Sequence, residues 1–451
     1  MASVIPPALK EQVEQRTGYV IAAERPRGGG GASRQGAEVV LQSPDGAERT
    51  CYLAWDARAG DPARLAFFER ETAVLGALSG PLASGGVRVA PLVAAFPSHL
   101  ALLSEFVTGQ DRFAQATDPA ALAADFVAQL AALHRIDAAD PALAPLGDAQ
   151  EPPSQRIAAN IAQWRQDNLA GAADPLLQLA LVWLAANIPP DRGPPVLLHG
   201  DAGPGNFLFV DNRVEALVDW ELSHLGDPME DLAQIWVRSL IQPFVPIADV
   251  FRAYEAAGGV PVDLPRVRFH RLYFQLSFSV ASAGQVARGG VTGTALLFGT
   301  MHRRVMARSL GELAGIALKA PALPDCPVDP IDRTFEIALA DLRDEIVPAA
   351  GNQRAAAKAK ELARLVKFWR MRLSHGAVYD AAEVADIRAL LPAAPSDLPG
   401  ARRALAAAID AGSVDFSAAL QVCHARTVRE TAIMADAMGA LSTTWYEPLA
   451  I

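Results

Sequence analysis

The sequence predicts an α+β protein with a small β-rich N-terminal lobe and a mostly helical second lobe, followed by a further helical domain. Strand-like segments dominate residues 19–55, and helical periodicity dominates residues 118–318 apart from one strand-like island at 196–218. A proline-rich stretch at 321–330 separates these regions from a last helical region. The expected domains are residues 1–104, 105–320 and 325–451.

The first lobe is predicted to be a small sheet that carries one helix. A turn sequence at 43–46 joins two of the strand-like segments as a hairpin. Asp61 and Pro62 provide an N-cap and a first-turn proline for the helix, whose apolar residues recur at roughly helical spacing as far as Leu78. The strands are expected at residues 19–21, 38–41, 50–55 and 101–109.

The second lobe is predicted to be helical with one interruption. Asp118 and Pro119 begin a helix that ends near His134. The apolar passage at 175–190 is interpreted as a buried helix, because it is too short to span a bilayer. The apolar runs of the island are too short for helices and are separated by glycine-rich turns. They are therefore expected to be short strands at residues 196–198, 207–210 and 216–218.

The last region is predicted to be a separate helical domain. Between residues 331 and 369 the apolar side chains fall at helical positions, and the region contains no recognisable catalytic motif. The proline-rich stretch before it is expected to act as a linker.

The composition is typical of a globular protein, with 51% hydrophobic and 20% charged residues. A net charge of -10, without any run of five or six Lys or Arg residues, argues against a nucleic-acid partner. Cys51, Cys326 and Cys423 lack the paired spacing of a zinc or redox site. The N-terminal residues lack the apolar stretch of a secretory signal, so we expect a cytoplasmic protein with no membrane partner. The oligomeric state stays open.

Two segments of the island concentrate the residues that could perform chemistry. The first is HGDAGPGN at 199–206, and the second is VDWE at 218–221. Phosphoryl transfer needs a carboxylate near the acceptor hydroxyl and oxygen ligands for magnesium on the nucleotide phosphates. Asp201, Asn206 and Asp219 offer that set, and the short strands between them would bring the two loops side by side.

These motifs, with GDPMEDLA at 226–233, resemble the aminoglycoside phosphotransferase and choline kinase-like superfamily, whose members are relatives of the protein kinases. The resemblance covers about residues 15–315. It implies a bilobal, protein-kinase-like fold that uses ATP and Mg²⁺ as cofactors and a small-molecule hydroxyl as acceptor.

The same resemblance implies roles for individual residues. Asp201 would be the base that orients or deprotonates the acceptor hydroxyl, and Asn206 and Asp219 would be the magnesium ligands. Asp227 would cap the following helix. Support of the catalytic loop would come from two further residues, His199 and Asp231.

Two upstream elements are expected to contact the nucleotide. A glycine run with Gly30 and Gly31, followed by Ser33, lies between the first two strands, where glycine lets backbone amides approach phosphates. A flexible surface loop would have the same composition. Glu105 and Val107 lie where the family's hinge bonds the adenine through backbone groups, and a plain linking strand is equally compatible with their sequence.

The sequence departs from the family at one cation. The family's helix presents a glutamate to a basic residue on the third strand, and these positions align with Glu71 and Ala54. Glu71 could equally be a solvated helix residue. Residues 11–318 contain no lysine, so arginine must supply any phosphate clamp. Arg34, directly after the glycine-rich loop, is the first choice and Arg58 is the second.

The leading hypothesis is an enzyme that moves the ATP γ-phosphate to a hydroxyl of a small molecule. The alternative is a nucleotide-binding, pseudokinase-like or regulatory protein with weak or no turnover. Retention of all three candidate residues, Asp201, Asn206 and Asp219, favours the enzyme. The acceptor is not predicted, because members of the resembled family act on hydroxyacyl thioesters, choline, homoserine or sugars with the same catalytic residues.

Overall fold

The chain folds into two units, and the computed structural model describes residues 4–27, 34–56, 62–287, 292–325 and 331–449. The first unit comprises Met1–Pro153, Asp191–Val267 and Tyr446–Ile451, and the second comprises Ser154–Pro190 and Arg268–Trp445. The boundaries expected from the sequence, after residue 104 and near residue 320, do not separate these units. Periodicity indicates which residues are helical, but it does not indicate which helices share a core.

The secondary structure follows the expected order of elements. Within the described residues the helices are α1 (Pro7–Thr17), α2 (Pro62–Ser79), α3 (Pro119–Leu133), α4 (Pro153–Ala170), α5 (Pro175–Ala186), α6 (Pro228–Arg238), α7 (Ile247–Ala256), α8 (Leu264–Ala287), α9 (Gly293–Ala314), α10 (Asp332–Asp341), α11 (Gln353–Leu390), α12 (Leu398–Asp410) and α13 (Phe416–Met438). The strands are β1 (Val20–Arg27), β2 (Gln35–Gln42), β3 (Glu48–Trp55), β4 (Leu92–Phe96), β5 (Ala101–Glu105), β6 (Val196–Leu198), β7 (Phe207–Val210), β8 (Arg213–Leu217) and β9 (His224–Gly226). The short strands β4 and β9 were not expected from the sequence.

A five-stranded antiparallel sheet forms the N-terminal part of the first unit, in the order β1-β2-β3-β5-β4. Along β3, the buried residues Cys51, Leu53 and Trp55 alternate with more exposed ones, as expected for a sheet with one covered face. Helix α1 contributes Leu9 and Val13 to the same hydrophobic cluster. The predicted β-rich first lobe is therefore confirmed.

Two small antiparallel pairs carry the island at 196–218. Strands β7 and β8 form a hairpin whose two turn residues, Asp211 and Asn212, have positive φ angles of 48° and 61°. Strand β6 pairs with β9, which follows the second motif. This pairing fixes the start of the first motif beside the end of the second, so both motifs lie at the ends of short strands as predicted.

The second unit is built around one helical core. Helix α5 is buried, as the sequence predicted, and no helix among the described residues is long and apolar enough to cross a membrane. Its core combines residues from the predicted second lobe with residues from the predicted last domain. The contributing side chains include Leu177 of α5, Phe269 of α8, Leu310 of α9, Leu405 of α12 and Leu420 of α13.

Candidate active site

The loop between β6 and β7 is fixed by hydrogen bonds from its backbone to α6. The amides of His199 and Gly200 donate to the Asp231 carboxylate at 2.8 and 3.0 Å. The amide of Ala202 donates to Gln234 Oε1 at 2.9 Å. Asp227 caps the same helix, accepting from the amide of Met229 at 3.0 Å. Helix α6 therefore holds the loop through side chains one turn apart.

Asp231 belongs to a fully buried polar network. His134 bridges it to Tyr254, with His134 Nε2 3.1 Å from Asp231 Oδ2 and Nδ1 2.8 Å from the tyrosine hydroxyl. Burial opposes ionisation of Asp231, but hydrogen bonding to His134 and the neighbouring His199 lower its pKa overall. The carboxylate therefore remains an acceptor for the loop amides. The resemblance implied a support role for Asp231, whereas the sequence placed His134 only near the end of a helix.

The neutral imidazole of His199 forms hydrogen bonds to both motifs. Its Nε2 lies 3.0 Å from the carbonyl oxygen of Val218, which can only accept, so Nε2 carries the proton. Its Nδ1 accepts from the amide of Asp201 at 3.3 Å. Burial lowers the pKa of His199, which favours the same neutral form. The ring thus fixes Asp201 relative to the residue that precedes Asp219.

Asp201 and Asn206 are hydrogen-bonded to each other at the two ends of the first motif. Asn206 Nδ2 donates to Asp201 Oδ2 at 2.7 Å and to its carbonyl oxygen at 2.8 Å. This arrangement leaves the amide oxygen of Asn206 turned away from Asp201. Arg238, at the end of α6, forms an ion pair with Asp201 at 2.7 Å.

Asp219 occupies the left-handed backbone region, with φ 69° and ψ 60°, which is uncommon for a residue other than glycine and recurs at functional sites. Its side chain caps no helix amide. Although the residue is accessible to solvent, desolvation by surrounding protein atoms and the carboxylates of Glu221, Asp201 and Glu71 raise its pKa to about 7. Several carboxylates therefore converge near Asp219.

Arg34 and Glu71 form a buried ion pair in the described part of the site. Burial raises the pKa of Glu71, and the charge of Arg34 opposes that shift. Arg34 also lies 3.7 Å from the carboxylate of Glu221, which forms an ion pair with Arg64 at 3.1 Å. Gly36, two residues after Arg34, pairs with Ala54 in the sheet. Arg34 therefore lies beside β3 and contacts the glutamate of α2. In β3 itself, the position at which the family has a basic residue is occupied by Ala54.

The remaining predicted nucleotide contacts divide into two groups. Glu105 ends β5 and is ion-paired with Arg49, and Val107 follows in a half-buried segment outside the strands. Four predicted residues lie outside the described part of the chain: Gly30, Gly31, Ser33 and Arg58.

Four residues of the site were not predicted from the sequence. Arg64 pairs with Asp56 at 2.7 Å as well as with Glu221, and it follows directly on the predicted N-terminus of α2. Arg238 reads in the sequence as an ordinary basic residue in the last turn of a helix. The GPG segment at 203–205 was the available signal, because two glycines that flank a single proline indicate a close approach by another group. The other two missed residues are His134 and Gln234.

The oxygen donors of the site fit a magnesium ion bound together with nucleotide phosphates. Among the described residues, no group of three or more His, Cys, Asp or Glu side chains could hold a metal by itself. Mg²⁺ is commonly held by one or two carboxylates, with substrate phosphates and water completing its six ligands. The carboxylate of Asp219 and the amide oxygen of Asn206 provide such a partial set. Desolvation and repulsion together raise the pKa of Asp219, and a divalent cation would relieve the repulsive part.

Comparisons with known proteins support the fold and the family. The model of a family described as phosphotransferase enzyme family (APH) matches residues 35–270. The structure is similar to that of a candidate aminoglycoside phosphotransferase from Ralstonia eutropha, with a TM-score of 0.52, 23% identity, and coverage of 68% of this chain and 97% of that one. The predicted fold class, a β-rich lobe and a helical lobe with additional C-terminal helices, is therefore confirmed.

Similar sequences also occur within much longer proteins. Acyl-CoA dehydrogenase family member 11 from Gallus gallus is 42% identical over 77 residues, which are 16% of this chain and 10% of that protein. The human protein of the same name is 31% identical over 105 residues, 22% of this chain and 13% of its own length. The chain thus matches only a small part of these relatives.

Proposed function

Because the chain belongs to the phosphotransferase enzyme family, we propose that it moves the γ-phosphate of ATP, with Mg²⁺, to a hydroxyl group of a small molecule. The observation that carries the proposal is the adjacency of three side chains. Asn206 hydrogen-bonds Asp201 at 2.7 Å, and the charge of Asp201 contributes to the raised pKa of Asp219. A carboxylate beside two oxygen ligands is what phosphoryl transfer requires.

In this proposal Asp201 accepts the proton of the acceptor hydroxyl as its oxygen attacks phosphorus. Its backbone is held by His199, and its carboxylate accepts a hydrogen bond from Asn206. Both contacts come from the loop itself. The carboxylate is therefore oriented before the substrate arrives, as positional catalysis requires.

Asn206 and Asp219 would hold the magnesium ion. When bound there, the ion would supply positive charge to offset the negative charge of the nucleotide phosphates. Val218, which precedes Asp219, donates its amide to the carbonyl oxygen of Asn206 at 3.0 Å, so the two ligand positions are joined through the backbone. Asn206 and Asp219 would therefore hold the magnesium ion as one rigid pair of ligands.

The affinity for magnesium-nucleotide should rise with pH, because a ligating carboxylate must be ionised. With a pKa of about 7 in the free protein, Asp219 is mostly protonated at low pH and ionised above neutrality. We expect the association constant measured by calorimetry to increase roughly tenfold between about pH 6 and pH 8. Asp219→Asn should remove most of that increase, and this control separates the residue from titration of the nucleotide. An equal increase in the variant would contradict the ligand assignment.

Arg34 is expected to clamp the phosphates with Arg64 close by. Arg34→Ala should weaken MgATP binding by roughly 10- to 150-fold, because a charge-assisted contact contributes about 1.5–3 kcal/mol. Arg34→Lys should retain part of the affinity, since it keeps the charge beside Glu71. The matched control is Arg88→Ala, which breaks a half-buried ion pair with Asp125 at 2.6 Å in the same unit. Wild-type affinity in Arg34→Ala would show that the clamp lies elsewhere.

The experiment that tests the function is a screen for acceptor-dependent consumption of ATP. Because two similar proteins are named acyl-CoA dehydrogenase family member 11, hydroxyacyl thioesters are the first acceptors to test, followed by choline, homoserine and sugars. Phosphorylated product that depends on both Mg²⁺ and the acceptor would support the proposal. Tight MgATP binding without transfer or hydrolysis would instead favour a regulatory nucleotide-binding protein.

A further inference from the structure

Arg238 contacts both ends of the first motif. Its Nη1 donates to the two carboxylate oxygens of Asp201, each at 2.7 Å. Its Nη2 donates to Asn206 Oδ1 at 3.2 Å and to the carbonyl oxygen of Pro204 at 3.0 Å. Its Nε also reaches that carbonyl, at 3.3 Å. The guanidinium therefore lies between the proposed base and a proposed magnesium ligand.

The glycines of the motif make room for this arginine. Gly203 and Gly205 have φ angles of 147° and 94°, in the region that favours glycine. A Cβ on Gly203 would lie 2.8 Å from Arg238 Cδ, and one on Gly205 would lie 2.9 Å from Gln242 Nε2 and 3.3 Å from Arg238 Nη2. A side chain at position 203 would displace the arginine, and one at position 205 would first displace Gln242. The loop and the end of α6 are thus shaped for each other.

The position of the guanidinium is where the transferred group must pass. In phosphoryl transfer the acceptor oxygen lies at the base, and the residues that would hold the metal lie beside the terminal phosphates. A cation in contact with both Asp201 and Asn206 is therefore next to the terminal phosphate. Arg34, the proposed clamp, and Arg64 pair with Glu71, Asp56 and Glu221 rather than with the first motif, so Arg238 is the cation placed at the base itself.

We propose that Arg238 binds the terminal phosphate of the nucleotide and leaves Asp201 and Asn206 when it does so. This inference rests on the proposed function. Two N–H groups of a guanidinium match two phosphate oxygens as well as they match a carboxylate. The exchange frees Asp201 for the acceptor hydroxyl and Asn206 Oδ1 for the metal, while Nε remains on the carbonyl of Pro204. Positive charge is then placed where charge develops during transfer.

The test compares two nucleotides that differ only in the terminal phosphate group. Binding of Mg²⁺ with a non-hydrolysable ATP analogue and with ADP is measured by calorimetry for the wild type, Arg238→Ala and Arg238→Lys. We expect Arg238→Ala to lose at least about tenfold in affinity for the analogue and much less for ADP, in line with one charge-assisted contact. Arg238→Lys should recover part of the difference. Arg88→Ala serves as the control, because Arg88 and Arg238 are comparably exposed at 22% and 20%.

The outcomes separate this inference from the function it rests on. Equal losses for both nucleotides, or no loss for either, would overturn it and leave Arg238 with a structural role. A selective loss together with no transfer by the wild type to any acceptor would support the phosphate contact while removing the proposed activity. Melting temperatures show whether the alanine variant is folded, and the lysine variant provides the comparison if it is not. A wild type that binds neither nucleotide would overturn both proposals.

Discussion

Asp201→Asn is expected to lower the rate of phosphotransfer by about 100- to 10,000-fold, the usual contribution of a positioned general base. The amide has nearly the same shape as the carboxylate and can still accept hydrogen bonds from Arg238 and Asn206 through its oxygen. It cannot take up the proton of the acceptor. Turnover with an identified acceptor, or slow ATP hydrolysis without one, provides the measurement.

Asp125→Asn is the matched control for that experiment. Asp125 is also half-buried in the first unit, is paired with Arg88 at 2.6 Å, and accepts from the amide of Val214 at 2.7 Å. The control variant should keep wild-type turnover, and both variants should keep nucleotide binding. Unchanged turnover in Asp201→Asn would remove this residue as the base.

Removing the residues after 325 is expected to unfold the second unit rather than release a separate domain. The deletion removes α12 and α13, whose Leu405 and Leu420 are fully buried in the core shared with α5. Each fully buried leucine contributes about 1.5–3 kcal/mol, and an entire domain is stable by only about 5–15 kcal/mol. The truncated chain should therefore aggregate or lose cooperative thermal unfolding, as followed by circular dichroism.

The truncation would also remove ion pairs that stabilise the second unit. Asp174, at the N-terminus of α5, is paired with Arg303 at 2.7 Å and with Arg426 of α13 at 3.1 Å. Glu430, also on α13, pairs with both arginines, and despite burial their charges lower its pKa to about 2. Without α13 this network is left incomplete in a buried setting, which is strongly destabilising.

Cleavage without removal is the control for the truncation. A protease site placed at 326–330 and cut in the folded protein should leave both pieces associated, because the core that joins them is intact. The nicked protein should keep a cooperative transition near that of the uncut chain. A soluble, cooperatively folding 1–325 fragment would contradict the shared core and support the linker predicted from the sequence.

Local sequence was sufficient for the strands and for the central motif. The alternation in β3, the short apolar runs of β6 and β7, and the N-cap of α6 are all set by neighbours within a few residues. The first motif is also local, since Asp201 and Asn206 bond each other across four intervening residues. These features were therefore predictable, although β8 begins earlier than expected and the three-residue β9 carries too little pattern to detect.

Long-range pairing was harder to predict. Arg34 directly precedes β2, and Glu71 lies in α2 beyond the β2–β3 hairpin. Only the folded sheet brings this arginine, beside the end of β3, to the helix glutamate. Arg238 reaches Asp201 from 37 residues away, and a terminal helix arginine has the same sequence appearance whether it faces solvent or a carboxylate. The composition of the second unit was missed for the same reason, because amphipathic helices do not specify their partners.

The aromatic contact between Trp236 of α6 and Tyr446, with ring centroids 5.5 Å apart, has a consequence for biosynthesis. Helix α6 also supplies the carboxylate of Asp231 that holds the catalytic loop. At typical translation rates of about 5–20 residues per second, roughly 10 to 40 s separate the synthesis of the tryptophan from that of its partner. During synthesis, α6 is therefore present before Tyr446 can pack against Trp236. The nascent chain must avoid aggregation during that time.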